Sequence, residues 1–161
     1  MDFRRKTNRF PCYDYSENGI YFVTICVEDR SPVFGEIINI DPSRGAYVQL
    51  SEEGNLVNSA ILRLPEIFNG VKIHNDVIMP NHLHLLIGLN DSTVSLSSII
   101  NYFKGYVTRR SKRKIWQKSF YDHIIRDEND FLRIWEYIDN NPGKWSEDRY
   151  YVTTVHVCDN S

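Results

Sequence analysis

Two neighbouring stretches of sequence with high β propensity constrain the fold of this chain more than any other feature. Val71–Met79 and His82–Leu89 are both rich in apolar and β-branched residues, and only Pro80 and Asn81 separate them. Proline followed by asparagine is typical of a tight turn, so the two runs are predicted to be neighbouring strands. A third strand is predicted over residues 20–28, where aromatic and β-branched residues are again concentrated.

Helices are predicted between and after these strands from the spacing of apolar residues. Ser51 is a typical N-cap residue, and apolar side chains recur at helical spacing from there to residue 68. A second helix is predicted over residues 95–114, with an apolar stripe along one side. A third is predicted to start near Asp127, with Asp130 placed for a capping-box-like start, and to end at Pro142.

The order of these elements predicts the fold class. Leaving aside a further hairpin over residues 33–39 and 46–50, the order is strand, helix, strand, strand, helix. That order is typical of an α+β domain of ferredoxin-like or RRM-like type: an antiparallel sheet with helices packed on it, here followed by a C-terminal helix. One sheet face would stay open to host a site. The 161 residues, with no repeat and no low-complexity linker, predict a single domain.

A His-x-His pair follows Pro80 and Asn81 at the start of the second long strand. Side chains alternate along a strand, so His82 and His84 are predicted to point to the same face, about 7 Å apart. Two imidazoles at this spacing can converge on one metal ion. The alternative is two histidines on a solvated face, although their flanking residues are apolar.

A tyrosine and an asparagine lie four residues apart near the end of the third predicted helix. Tyr137 and Asn141 therefore share a helix face, while Trp135 and Ile138 are expected to face the core. A phenol beside a bound cation can attack phosphorus, and the Asn141 amide oxygen could be a third metal ligand. Taken alone, this segment favours a packing tyrosine and a helix-capping asparagine.

Charge patterning limits where nucleic acid could bind. The net charge is −2, which disfavours a protein that coats nucleic acid non-specifically, so any DNA site must be local. Two stretches qualify: a basic arm over residues 1–16, and a basic run in which aromatic residues alternate with cations. The alternative for the run is a solvated helix face. The cations are Arg4, Arg5, Lys6 and Arg9 in the arm, and Lys104, Arg109, Arg110, Lys112, Arg113, Lys114 and Lys118 in the run.

The cysteines and the N-terminal residues indicate in which cellular compartment the protein is expected. Cys12, Cys26 and Cys158 are scattered and odd in number, so they are expected to be reduced thiols of a cytoplasmic protein. The charged start leads into no apolar segment, so no signal peptide is expected. The longest apolar run, near residues 85–89, is too short to span a bilayer.

Taken together, the motifs resemble a known family. A His-x-His pair after Met79-Pro80-Asn81, followed by Tyr-Ile-x-x-Asn-Pro from Tyr137, resembles the HUH-type single-tyrosine transposases, and most closely their REP-associated branch. Residues 21–25 and 116–126 match further, so the resemblance covers about residues 13–148. One departure is residues 143–145, Gly-Lys-Trp, where many relatives have an apolar residue and then lysine.

This resemblance implies a set of roles and partners. His82 and His84 would be the histidines of the HUH motif, Asn141 would complete a site for Mg²⁺ or Mn²⁺, and Tyr137 would be the nucleophile. The implied activity is cleavage and rejoining of single-stranded DNA at hairpin, palindromic-repeat sites through a 5′-phosphotyrosine. The implied partner is single-stranded or hairpin DNA, without a membrane. Relatives can borrow the tyrosine helix from a second chain, so a homodimer is one expected assembly.

Two other functions stay open on the sequence alone. A non-catalytic RRM-like nucleic-acid binder would keep the sheet and the basic run, but would not use the histidine, tyrosine and asparagine set. A zinc hydrolase built on the histidine pair would need another ligand and a general base, for which Asp76 or Glu136 could serve. His123 could orient Asp122 or contact DNA, but it is expected to be structural, and so are His74 and His156.

Overall fold

The computed structural model describes residues 18–39, 43 and 45–152. The strands are β1 (Gly19–Cys26), β2 (Gly35–Ile38), β3 (Tyr47–Leu50), β4 (Val71–Met79), β5 (His82–Leu89) and β6 (Tyr121–Ile124). The helices are α1 (Glu52–Ile67), α2 (Leu96–Ser111) and α3 (Glu128–Asn140), and a 3₁₀ segment over Pro142–Glu147 follows α3. In the part of the chain that is described, no helix is long and apolar enough to cross a bilayer.

Four strands form the central antiparallel sheet in the order β4-β5-β1-β6. The turn at Pro80 and Asn81 joins β4 to β5, so that Met79 and His82 face each other across the two strands. β2 and β3 pair only with each other, as the additional hairpin that the sequence predicted. β6 pairs with β1 and widens the sheet by one strand beyond the three that were predicted for it. The predicted α+β fold is therefore confirmed.

Different helices cover the two faces of this sheet. On one face, alternate β5 residues such as Leu83 and Leu85 belong to the main core with α1 and α2. On the other face, Leu86 and its β1 neighbour Phe22 form a second core with buried residues of α3. α1 and α2 thus pack on one face, and α3 covers the second face, which the sequence had predicted to stay open.

Side-chain caps set the starts of the helices. The Ser51 hydroxyl accepts a hydrogen bond from the Gly54 backbone, and the Asp127 carboxylate accepts one from the Asp130 backbone, so both predicted starts are confirmed. Gly54 also allows close packing here, because a Cβ at this position would overlap the carbonyl oxygen of Phe34. α2 ends earlier than predicted, since Lys112 adopts a left-handed backbone conformation, with φ at 56°.

Candidate active site

The histidine pair lies on the sheet face that α3 covers. His82 and His84 point to the same side of β5, and their ring centroids are 4.8 Å apart. Both side chains are buried, with exposures of 0% and 1%. They therefore belong to the protein interior, and the alternative of two histidines on a solvated face is wrong.

The residue before the first histidine sets the orientation of that imidazole. The Asn81 amide nitrogen donates hydrogen bonds to the carbonyl oxygens of Arg30, at 3.0 Å, and Tyr150, at 2.6 Å. Its oxygen Oδ1 therefore faces Nδ1 of His82, at 2.9 Å. Because an amide oxygen can only accept, Nδ1 of His82 carries the proton, and the lone pair of the ring lies on Nε2.

Three buried side-chain atoms at this place form no hydrogen bond: His82 Nε2, His84 Nε2 and Asn141 Oδ1. His84 is held through its other nitrogen, which lies 2.8 Å from Thr24 Oγ1. Burial lowers the pKa of His84 to about 3 and holds the pKa of His82 well below its ordinary value, so both rings are neutral at pH 7. Buried polar atoms normally have partners. Two imidazole lone pairs and an amide oxygen are suitable donors for a divalent cation.

The candidate metal ligands are of two chemical types, imidazole nitrogen and amide oxygen. Within the described residues, no group of three His, Cys, Asp or Glu side chains could hold a metal ion. A site built on the two histidines therefore needs a donor of another type, and the amide oxygen of Asn141 is such a donor. The residues present fit a divalent cation in this mixed form.

Tyr137 lies beside the histidine pair of its own chain. Its ring centroid is 5.4 Å from that of His84 and 5.9 Å from that of Phe22. It is held there because Ile134 and Ile138 of the same helix are buried against the sheet. Burial raises the pKa of Tyr137, although a hydrogen bond from the Asn141 side chain opposes this effect. The phenol is therefore protonated at neutral pH and must lose its proton to act as a nucleophile.

Asn141 is the residue at which α3 ends, and it lies on the same side as the tyrosine. Its amide nitrogen donates to the carbonyl oxygen of Tyr137, at 2.9 Å, and its side chain is buried. This bond fixes the amide orientation and leaves Oδ1 as the atom without a hydrogen bond. The helix cap and the candidate ligand are thus compatible, because they use different atoms of one side chain.

A pocket of about 520 Å³ opens beside Tyr137 and Asn141. Its lining includes three cationic and three acidic side chains: Arg133, Lys144 and Arg149, and Glu136, Glu147 and Asp148. Cations beside a candidate nucleophile suit a phosphate group. The sequence analysis missed these cations because they are spaced along α3 and the segment after it, with acidic residues among them, so no local charge pattern marks them.

The basic run lies on the other side of the sheet, because α2 packs on the face opposite the histidines. Several of its cations have protein partners. Lys104 donates to the carbonyl of Gln117 at 2.6 Å, Arg113 pairs with Glu53 at 3.1 Å, and Lys114 pairs with Glu28 at 3.3 Å. The exposed members also include Arg109, Arg110, Lys112 and Lys118. Their role in DNA binding stays a prediction.

The remaining candidates lie elsewhere. Asp76 is paired with Leu85 and therefore points to the α1 and α2 face, away from the histidines. Glu136 is exposed on α3, and the His123 ring contacts the Asp130 carboxylate at 2.8 Å. His74 packs edge-on against the ring of Phe131. Cys26 is a buried free thiol. Arg4, Arg5, Lys6, Arg9, Cys12, His156 and Cys158 lie outside the described residues.

Known proteins resemble this chain in sequence and in fold. Over 92% of this chain and 93% of its own length, a Haemophilus influenzae protein without an assigned function is 34% identical. A second Haemophilus influenzae protein, provisionally named a REP-associated tyrosine transposase, is 29% identical over 81% of this chain and 74% of its own length. A solved REP-associated tyrosine transposase, bound to a REP hairpin, has a TM-score of 0.66 and 23% identity, over 85% of this chain and 73% of that one.

The family match falls on the residues that form the site. Residues 58–141 match the family described as IS200-like transposases, a range that contains His82, His84, Tyr137 and Asn141. The resemblance seen in the sequence is confirmed by this match and by the similarity to a REP-associated tyrosine transposase. The chain therefore belongs to the IS200-like transposase family.

Proposed function

We propose that this transposase is a metal-dependent single-stranded DNA endonuclease and strand transferase that cuts and rejoins DNA through Tyr137. The observation that carries the proposal is the group of three buried donor atoms without hydrogen bonds, close to that phenol. The proposed substrate is DNA with a palindromic hairpin, by analogy with the solved relative described as bound to a REP hairpin. All the proposed site residues belong to one chain, so a homodimer is not needed to complete the site.

His82, His84 and Asn141 would hold Mg²⁺ or Mn²⁺. When bound, such a cation offsets the charge that develops on the scissile phosphate. The Tyr137 oxygen attacks the phosphorus and its proton leaves to solvent, while the bond from phosphorus to the 3′ oxygen breaks and that oxygen takes up a proton from solvent. The products are a 5′-phosphotyrosine and a free 3′-hydroxyl. Attack of a 3′-hydroxyl on the phosphotyrosine reverses these steps and restores both phosphodiester and phenol, so rejoining needs no nucleotide triphosphate.

The pocket beside Tyr137 would receive the DNA strand at the scissile phosphate. Lys144 and Arg149 line this pocket together with Tyr137 itself. Lysine and arginine at its wall would bind the phosphates on either side of the bond that is cut. In this proposal the cations near the nucleophile position the strand, and the basic run on α2 contacts DNA farther away.

The substitution Tyr137→Phe tests the nucleophile. It removes one oxygen and keeps the ring, so the packing against His84 and Phe22 should persist. With a single-stranded hairpin oligonucleotide and Mn²⁺, the wild type should give a covalent adduct that survives denaturing electrophoresis, and the variant should give none. The matched control is Tyr121→Phe on β6, which should keep the adduct. His82→Ala should lose activity through the cation, with partial recovery at high Mn²⁺.

The same assay separates the other functions. If Tyr121→Phe abolished the adduct and Tyr137→Phe kept it, the nucleophile assignment would be wrong within the right family. Cleaved DNA without any adduct would favour a hydrolase. Binding without cleavage by the wild type, for every hairpin and either metal, would favour a non-catalytic nucleic-acid binder.

A further inference from the structure

One acidic side chain beyond the family match reaches the histidine pair. Asp148 follows the 3₁₀ segment, and its Oδ2 lies 3.5 Å from His82 Nε2, with side-chain exposures of 6% and 0%. Its other oxygen, Oδ1, accepts a hydrogen bond from the Tyr150 backbone at 2.8 Å. One carboxylate oxygen thus anchors the local turn, while the other faces the nitrogen that carries the His82 lone pair.

This contact is between two acceptors. The His82 proton is on Nδ1, where Asn81 Oδ1 accepts it, so a neutral His82 has no proton to offer to Asp148. Two buried lone pairs that face each other at this distance are unfavourable by themselves. A cation bound at His82 Nε2 would offset the negative charge of the neighbouring Oδ2.

The charge of the proposed site also favours an anionic group next to the cation. His82, His84 and Asn141 are all neutral donors, so a divalent cation held by these residues alone would keep its full charge in a buried place. Carboxylates are preferred ligands of Mg²⁺ and Mn²⁺, whereas imidazoles also suit other transition metals. A carboxylate at Asp148 would lower the net charge of the loaded site and favour these two ions.

We propose that Asp148 is the anionic group next to the cation held by His82, His84 and Asn141, and that it contributes its charge there through Oδ2. The inference rests on the proposed function, because it concerns the cation of that site. The residue lies outside the family match, which ends at residue 141, and no local motif marks it. It is brought to His82 by the turn of the chain after α3, which also places Tyr150 over the His82 ring, with centroids 4.4 Å apart.

Metal affinity measured without DNA tests this proposal. We expect Asp148→Asn to weaken Mn²⁺ binding by about 10- to 100-fold in isothermal titration calorimetry of the intact protein, the range found when groups around a metal site are removed. The matched control is Glu147→Gln, which removes the same charge from the exposed neighbouring residue and should leave the affinity unchanged. Circular dichroism checks that both variants are folded.

The absorption spectrum of bound Co²⁺ gives a second readout. Asp148→Glu keeps the charge but moves the carboxylate, so it should bind Co²⁺ with an altered visible spectrum, even if Asp148→Asn does not fold. Equal Mn²⁺ affinity in wild type and Asp148→Asn would overturn the role of Asp148 and leave the proposed function intact. An unchanged Co²⁺ spectrum in Asp148→Glu would likewise overturn the role of Asp148 and leave the proposed function intact. Failure of the wild type to bind Mn²⁺ or Mg²⁺ would overturn the cation site itself, and the proposed function with it.

Discussion

Asn81 links three parts of the chain around one imidazole. Its amide nitrogen donates hydrogen bonds to the carbonyl oxygens of Arg30, after β1, and of Tyr150, near the end of the described residues. Its oxygen accepts one from Nδ1 of His82. The residue is 1% exposed, and its hydrogen bonds to Tyr150 and His82 are buried, while the one to Arg30 is partly buried. Asparagine at this position therefore selects the His82 tautomer as well as forming the turn between β4 and β5.

Replacing Asn81 by alanine should reduce both stability and metal affinity. Two carbonyl groups and one N–H would lose their partners, which costs about 1–3 kcal/mol for each buried group left unsatisfied. We expect Asn81→Ala to lower the free energy of unfolding in urea by at least that amount. We also expect Mn²⁺ binding to weaken by about 10- to 100-fold, since His82 would no longer be held in one tautomer. Asn101→Ala, at an exposed position on α2, is the control and should change neither quantity.

Among the residues of the candidate site, those that belong to recognisable sequence motifs could be predicted. Alternation along a strand paired His82 with His84, and the helical repeat paired Tyr137 with Asn141, but the family resemblance was needed to predict that these two pairs belong to one site. Asp148 and Arg149 could not, because their position depends on how the chain turns after Pro142. The burial of Asn81 was equally hidden, since a proline–asparagine turn is ordinarily exposed.

α3 is attached to the sheet at both of its ends. At its start, the Asp130 carboxylate accepts hydrogen bonds from the His123 ring of β6 and the Arg126 backbone, and also contacts Arg133. At its end, the Asn75 side chain of β4 donates to the Asp139 carboxylate at 2.9 Å. With apolar contacts between these points, the helix that carries Tyr137 is fixed to β4 on one side and to β6 on the other.

The Asp130 contacts should make stability depend on pH. Although burial raises the pKa of Asp130, hydrogen bonds from Arg133, His123 and Arg126 lower it to about 2, below the ordinary value of 3.8. A carboxyl whose pKa is lowered in the folded state stabilises the protein above the unfolded pKa, and this contribution is lost as the pH falls towards the folded pKa. Asp130→Asn should therefore cost about 1–2 kcal/mol at pH 7.

Urea unfolding of wild type and Asp130→Asn at several pH values checks this expectation. The difference between the two proteins should be constant from pH 7 to pH 5 and shrink between about pH 4 and pH 2. Asp122→Asn on β6 is a control for loss of an acidic side chain next to His123. A difference that did not change with pH would mean that the Asp130 contacts act through packing and not through charge.

The helices and long strands were predictable because each carries its own periodicity. β4 and β5 match the predicted ranges, and the caps at Ser51 and Asp127 are where the sequence indicated. β6 was not resolved from its surroundings, since a four-residue strand has too few residues to show alternation. Its strand character comes from pairing with β1, which is a property of the assembled sheet.

For the molecule as a whole, positive charge is divided between two sides of the sheet. The cations of the pocket lie on the side of Tyr137, and the basic run lies with α2 on the other side. A DNA hairpin that contacted both would have to pass around an edge of the sheet. Binding and cleavage can therefore be separated by mutation, because different cations would serve each of them.

Neutralising the basic run tests this division. We expect the combined change of Arg109, Arg110, Arg113 and Lys114 to glutamine to weaken hairpin binding and to reduce the slope of log Kd against log salt by about one for each lost phosphate contact. At saturating DNA, the yield of covalent adduct should stay the same. Replacing Lys144 and Arg149 by glutamine should lower the yield of covalent adduct in addition to weakening binding. An unchanged slope for the first variant would mean that the run is a solvated helix surface.

The position of α3 late in the chain has a consequence for biosynthesis. The buried residues of the main core end at Phe120, whereas the second sheet face, with Phe22 and Leu86, is covered only after α3 has left the ribosome. Domains fold as they emerge, at about 5–20 residues per second. For that interval the nascent protein has its histidines in place but no tyrosine beside them. Premature termination before residue 137 would therefore release a polypeptide that lacks both the end of the helix covering the second sheet face and the tyrosine that we propose as the nucleophile.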